Sequence, residues 1–165
     1  MNAAQDLIDR LGRDGLTLAV AESCTGGLLG ARLTDVPGAS KVFLGGVIAY
    51  ADDAKVRELG LDAKLLKDGH GAVSAAAAEA MAHGVRTRFK ASLAVAVSGI
   101  AGPTGATAGK PVGTVWLAAV GPGDLVNVHR IHAEGDRSAI RETAVMEALH
   151  LLLRNLAEAK TEKLV

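Results

Sequence analysis

Two short polar loops contain the residues whose types and spacing could carry chemistry. Residues 22–27 read Glu-Ser-Cys-Thr-Gly-Gly, and residues 98–103 read Ser-Gly-Ile-Ala-Gly-Pro. Each loop combines hydroxyls with glycines, so its oxygens and backbone N–H groups could surround a small anion. Neither loop has the Gly-Lys-Ser/Thr of a P-loop or the Gly-x-Gly-x-x-Gly of a dinucleotide site. Ordinary turn and capping chemistry is the alternative interpretation of either loop alone.

A nucleophile in the first loop would be Ser23 or Thr25, and either would need a base because a free hydroxyl attacks poorly. The five histidines do not stand where a Ser-His-Asp triad is recognisable from sequence: His70, His83, His129, His132 and His150. Lys55 is the remaining candidate base, since a lysine that burial keeps neutral can serve a serine nucleophile. The alternative for Lys55 is a solvated lysine on a helix surface.

Cys24 is the single cysteine of the chain, so it excludes an internal disulfide and a cysteine-rich zinc site. Close to the start of a helix its thiol could be activated. We favour the other interpretation, a small buried apolar residue. No pair of histidine or cysteine residues has the spacing of a zinc site, so we predict no metal and no cofactor.

Alternating apolar strands and amphipathic helices must position these loops. Five strands are predicted at residues 16–21, 42–50, 92–97, 114–120 and 125–132. Six helices are predicted at residues 3–11, 28–34, 52–59, 63–67, 75–89 and 137–159, with Ser74 and Asp136 as N-caps of the last two. This order predicts an α/β fold: a three-layer α/β/α sandwich with a mixed, mostly parallel sheet and a C-terminal antiparallel hairpin.

The predicted sheet places the two polar loops at the carboxyl ends of the first and third strands, where open α/β sheets bind ligands. Lys55 follows the second strand, so it shares that sheet edge with Ser23 if the strands are parallel. Tyr50, the only tyrosine, ends the second strand. The other aromatic residues, Phe43, Phe89 and Trp116, are predicted to lie in the core.

Composition limits the class of protein. The 165 residues are 49% hydrophobic and suit one domain over 1–165. Lys+Arg 18 balances Asp+Glu 18, which argues against a nucleic-acid partner. There is no apolar run of about 18 residues and no secretory signal, so we expect a cytoplasmic protein without a membrane partner. The apolar helix faces permit a homodimer and serve a monomer core equally well.

Four motifs in order resemble the C-terminal domain of the CinA (competence/damage-inducible protein) family. They are residues 21–27, 70–74, 98–103 and 110–115, and the likeness runs from about 7 to 156. The resemblance implies a nicotinamide-nucleotide amidohydrolase of pyridine nucleotide salvage, which converts nicotinamide mononucleotide to nicotinic acid mononucleotide and ammonia. The resemblance is to the stand-alone form of the family, which lacks the nucleotide-processing domain of longer relatives.

The resemblance also implies roles for single residues. Ser23 matches the nucleophile, Lys55 the base and Tyr50 a residue that assists proton movement or positioning. Arg137 matches a position suited to the substrate phosphate. Two further sets are implied: backbone donors to an oxyanion at Thr25, Gly26 and Gly27, and a nucleotide pocket lined by Ser98, Gly99 and Gly102.

This chain departs from the family pattern in two places. Ala51-Asp52 stands where the family often has Ser-Asn, and Gly105-Ala106 stands where it usually has Gly-Gly. A catalytically silent nucleotide-binding or regulatory module of the same family is therefore the alternative to the enzyme. Hydrolysis of another amide is a third hypothesis.

Overall fold

The structure is a computed structural model that describes residues 2–67 and 69–162. Its helices and strands follow one another in the order expected for an α/β protein. They are α1 (Ala3–Asp14), β1 (Leu18–Glu22), α2 (Leu28–Thr34), β2 (Phe43–Ile48), α3 (Asp52–Leu59), α4 (Ala63–Lys67), α5 (Ala75–Phe89), β3 (Leu93–Gly99), β4 (Thr114–Val120), β5 (Val126–His132) and α6 (Arg137–Glu162).

The five strands form one mixed sheet in the order β2-β1-β3-β4-β5. β1 pairs in parallel with β2 and with β3, whereas β3–β4 and β4–β5 are antiparallel. The mixed, mostly parallel sheet and the C-terminal hairpin are as predicted, and only β4 runs against the direction of the other four strands. The physical reason is the connection 100–113, which contains no helix to cross over the sheet, so β4 returns antiparallel beside β3.

Helices cover both faces of the sheet, which confirms the predicted α/β/α layers. The face under α1, α2 and α6 carries the bulkier strand residues, including Leu18, Val20, Val95 and Leu117. The face under α5 carries mainly alanines, among them Ala19, Ala21, Ala94, Ala96 and Ala118. Successive strand residues point to opposite faces, so this alternation lets the alanine-rich α5 lie close to the sheet.

Local signals explain where the helices begin and end. The Ser74 hydroxyl accepts a hydrogen bond from the Ala77 N–H at 3.2 Å, and the Asp136 carboxylate accepts one from the Ala139 N–H at 2.8 Å. Both predicted N-caps are therefore present. The first helix continues past its predicted end to Asp14 and stops at Gly15, whose φ of 65° suits a glycine C-cap.

A close backbone contact joins α5 to the end of α3. A Cβ atom added at Gly84 would lie 2.0 Å from the Leu59 carbonyl oxygen. Only glycine permits that approach, because every other side chain begins with a Cβ atom. The contact fixes the end of α3, the helix that carries Lys55, against α5.

The aromatic residues predicted to be core lie at its margin. Phe43, Phe89 and Trp116 are half-buried, and the Arg130 guanidinium lies 5.9 Å from the centre of the Trp116 ring. Alanine, valine and leucine fill the fully buried positions instead. Within the described residues, every helix is too short or too polar to cross a bilayer.

Candidate active site

The carboxyl ends of β1, β2 and β3 open onto a cavity of about 280 Å³. They meet there because β1 runs parallel to both of its neighbours. The cavity is lined by most of the residues singled out in the sequence, namely Ser23, Tyr50, Lys55, Ser98, Gly99, Gly102 and Arg137. Thr25, Gly26 and Gly27 are not brought to its wall.

The loop that holds Ser23 is anchored by the residue before it. Glu22 is only 2% exposed, and its carboxylate accepts hydrogen bonds from the N–H groups of Gly27 at 3.0 Å, Leu29 at 3.0 Å and Gly30 at 2.8 Å. These N–H groups belong to the first turn of α2 and the turn before it, where helix donors have no partner within the helix. A carboxylate there is also favoured by the helix dipole.

Arg141 on α6 holds the same loop from the other side. Its Nε donates to the Cys24 carbonyl at 3.1 Å, and its Nη2 donates to the Thr25 carbonyl at 2.7 Å. Sequence reasoning missed both Glu22 and Arg141 as site residues. For Arg141 a signal exists, since it lies four residues after Arg137 and so on the same face of a helix.

The loop's hydrogen bonds correct the expectation that it donates to an oxyanion through Gly26 and Gly27. The Gly26 N–H donates to the Ser23 carbonyl at 3.1 Å, and the Gly27 N–H donates to Glu22. Thr25 is fully buried and does not line the cavity. Cys24 lines the cavity beside Ser23.

Replacing Glu22 by glutamine is expected to destabilise the fold by about 2–4 kcal/mol. Hydrogen bonds to a charged acceptor each contribute about 1.5–3 kcal/mol, and the new amide NH₂ would face backbone donors. Urea unfolding, with the free energy of unfolding extrapolated to water, measures the change. Glu79→Gln, on the exposed side of α5, is the matched control and should stay within about 0.5 kcal/mol of the parent. Equal stability of the two variants would show that Glu22 does not anchor the loop.

Lys55 is the largest of the fully buried side chains, at 2% exposure. Its Nζ donates to the Tyr50 carbonyl oxygen and to Asp52 Oδ1, both at 3.2 Å. The alternative of a solvated lysine is therefore wrong. A lysine is seldom buried without a partner, and here the amine is held at the wall of the cavity that Ser23 also lines.

Tyr50 and Arg137 form the mouth of the cavity. The Arg137 guanidinium donates through Nη2 to the Tyr50 hydroxyl and through Nη1 to the Gly102 carbonyl, both at 2.7 Å. Tyr50 is 57% exposed. The arginine thus links the segment after β2, the 98–103 loop and α6, and its cationic head lies at the cavity mouth, where it could meet an anion.

The second polar loop forms the opposite wall. The Ser98 hydroxyl donates to the Ala72 carbonyl at 2.7 Å and so attaches the 70–74 segment to the end of β3. Gly102 has a φ of 75°, and a Cβ atom there would lie 2.5 Å from Val112. Its place in the wall therefore requires glycine. His70 is exposed and lies outside this cavity.

Cys24 is a poor nucleophile in this environment. Burial raises the pKa of its thiol to about 11, so the sulfur stays protonated at neutral pH. This agrees with the interpretation of Cys24 as a small buried residue, and it leaves Ser23 as the candidate nucleophile that lines the cavity. Among the described residues, no group of three His, Cys, Asp or Glu side chains could hold a metal ion.

Residues 1–156 match the family model of the CinA C-terminal domain. A CinA-like protein of Gemmatimonas aurantiaca is 54% identical over 142 residues, which cover 86% of this chain and 33% of the relative. A CinA-like protein of Synechococcus sp. is 54% identical over 151 residues, which cover 90% of this chain and 36% of the relative. The chain thus spans about a third of the length of these curated relatives.

Solved structures resemble the whole fold. A competence-damaged protein (CinA) superfamily protein of Klebsiella pneumoniae is 36% identical, with a TM-score of 0.89 over 94% of this chain and 96% of that one. The competence/damage inducible protein CihA of Agrobacterium tumefaciens is 40% identical, with a TM-score of 0.86 over 94% of this chain and 96% of that one.

Proposed function

The chain belongs to the CinA C-terminal domain family, and we propose that it is an amidohydrolase that converts nicotinamide mononucleotide to nicotinic acid mononucleotide and ammonia. One observation carries the proposal: a serine and a fully buried lysine line the same small cavity, which has an arginine at its mouth. A nucleophile with a base suits attack on an amide. The arginine suits a substrate that also bears a phosphate. The cytoplasmic location and the homodimer stay predictions.

Ser23 begins the reaction in this proposal. Its Oγ forms a bond to the carboxamide carbon while its proton passes to the neutral amine of Lys55. The carbonyl π electrons move to oxygen and give a tetrahedral oxyanion. The C–N bond then breaks, and the leaving nitrogen takes the proton from Lys55 and departs as ammonia. A nicotinoyl ester of Ser23 remains.

Water completes the cycle through the same lysine. Lys55 accepts a proton as water attacks the ester carbon, and the C–Oγ bond then breaks while that proton returns to Ser23. The acid product leaves and the enzyme is regenerated. All atoms come from the amide and one water molecule, so the scheme calls for no redox partner.

The Cys24 N–H is our candidate donor to the oxyanion, in place of the glycines of the loop. It directly follows the nucleophile in sequence, as in other enzymes whose nucleophile lies on a strand-to-helix turn. The residue lines the cavity. One such donor contributes about 3 kcal/mol in the transition state. Glu22 and Arg141 would hold this N–H in place through their bonds to the loop.

Arg137 is the residue that we assign to the phosphate. Its guanidinium faces the cavity mouth, and an arginine can donate two parallel hydrogen bonds to phosphate oxygens. The phosphate would then bind near the surface while the carboxamide reaches Ser23. Ser98, Gly99 and Gly102 would line the space between them.

Ammonia release from a set of amides tests the proposal. We expect release from nicotinamide mononucleotide, with kcat/KM about 10–100-fold lower for nicotinamide riboside, which lacks only the phosphate. Arg137→Leu should lower activity on the mononucleotide and leave the riboside nearly unchanged.

Other outcomes identify other functions. Equal rates with and without the phosphate, or on unrelated amides, would indicate an amidohydrolase of another substrate class. Calorimetric binding of the mononucleotide with no ammonia release would instead indicate a catalytically silent nucleotide-binding module.

A further inference from the structure

We propose that Asp52 is a positioning residue that orients the amine of Lys55 toward Ser23 and stabilises it after it accepts a proton. This inference rests on the proposed function, since it names a third member of the same proton-transfer site. Asp52 lines the cavity, and its Oδ1 lies 3.2 Å from Lys55 Nζ. The roles derived from the family resemblance did not include it.

The geometry around the Lys55 amine supports a role for Asp52 in orienting it. A neutral lysine nitrogen is tetrahedral, with one bond to carbon, two N–H bonds and one lone pair. Among the described residues, Nζ has two acceptors, the Tyr50 carbonyl and the Asp52 carboxylate. When both N–H bonds are directed at these acceptors, the lone pair takes the one position that remains. That position is available for the proton of Ser23.

The charge of the Asp52 carboxylate supports a role in stabilising protonated Lys55. When Lys55 takes the proton it becomes a buried cation, which is costly without a counter-ion. Asp52 supplies a carboxylate at hydrogen-bond distance. Of the other titratable groups at the cavity, the Cys24 thiol is neutral, and the Tyr50 hydroxyl is bonded to the Arg137 cation.

Asp53 provides a control that distinguishes this role of Asp52 from the general effect of an acidic residue at the start of a helix. Asp52 and Asp53 both lie in the first turn of α3, where a negative charge is favoured by the helix dipole. Of these two aspartates, Asp52 alone accepts a hydrogen bond from Lys55 in the described structure. Substitution of Asp53 therefore removes the same charge from the same turn and leaves the contact with Lys55 intact.

The experiment compares Asp52→Ala, Asp52→Asn, Asp53→Ala and Asp53→Asn in the full chain. We expect Asp52→Ala to lower kcat for nicotinamide mononucleotide on the order of ten-fold with little change in KM, because one charged hydrogen bond is lost. Asn keeps an acceptor oxygen, so Asp52→Asn should retain more activity. Both Asp53 variants should match the parent.

A second measurement keeps the inference testable if the substrate is a different amide. Diisopropyl fluorophosphate, a reagent that labels activated serines, is added to each variant, and intact mass gives the labelling rate of Ser23. Labelling of Ser23 without ammonia release would exclude nicotinamide mononucleotide as the substrate. The labelling rates would still show whether the Asp52 variants differ from the parent. Asp52 variants with the parent's kcat, KM and labelling rate would overturn the inference, as would equal losses in the Asp53 variants. Parent protein with neither activity nor labelling would overturn both proposals.

Discussion

Ser23→Ala is expected to lower the rate of ammonia release from nicotinamide mononucleotide by at least about a thousand-fold. The substitution removes only the oxygen that would form the covalent bond. The Ser23 hydroxyl has no hydrogen-bond partner among the described residues, whereas the Ser23 N–H bond to the Val97 carbonyl is kept by alanine. Stability should therefore change by less than about 0.5 kcal/mol. Steady-state kinetics and urea unfolding measure the two effects.

Two further measurements make the Ser23 result decisive. Calorimetry should show that Ser23→Ala still binds the mononucleotide, because the wall and mouth of the cavity are untouched. Ser40 is exposed and lies outside the cavity, so Ser40→Ala is the matched control and should keep full activity. If Ser23→Ala kept more than a tenth of the parent's activity, Ser23 would not be the nucleophile.

Lys55→Met is expected to abolish activity to a similar extent without loss of stability. Methionine has nearly the length and volume of lysine but cannot accept a proton. A buried polar group carries a desolvation cost that methionine does not have, and the Asp52 side chain is 60% exposed, so water can solvate it once its partner is gone. Activity and stability would then move in opposite directions, as occurs where a site holds a costly group for its chemistry. Ammonia release and urea unfolding of the same preparation test both parts.

Lys55→Arg and Lys64→Met complete the test of the lysine. Arginine stays charged, so Lys55→Arg should not restore proton acceptance. Lys64 is exposed on α4, and its substitution by methionine should leave the rate unchanged. A Lys55→Met variant with the parent's rate would exclude Lys55 as the base. A variant that unfolds would show that the amine is needed for the fold.

Most of the fold was predictable because its signals are local. Ser74 and Asp136 mark helix starts by capping backbone donors a few residues away, and these distances are fixed by helix geometry. The alternation of alanine with larger residues along β1 and β3 is likewise visible in the sequence. The antiparallel return of β4 was harder to predict, because it depends on a connection that lacks a helix.

The candidate site was predictable where it depends on strand ends and less so where it depends on contacts between distant residues. Ser23, Lys55 and Tyr50 follow parallel strands, so their convergence on one cavity follows from the sheet. Arg141 reaches the Ser23 loop across more than one hundred residues of sequence. Glu22 was visible only as the polar end of a strand, and its bonds to α2 require the three-dimensional turn.

The contact of Gly84 with the Leu59 carbonyl has a consequence for how the protein tolerates mutation. Gly84 has no polar side chain and lies outside the cavity, yet one added methyl group would press on the end of the helix that carries Lys55. A random-mutagenesis screen for lost deamidation should therefore recover substitutions at this glycine beside those in the cavity. The region in which a single mutation can silence the site extends beyond the residues that surround the substrate.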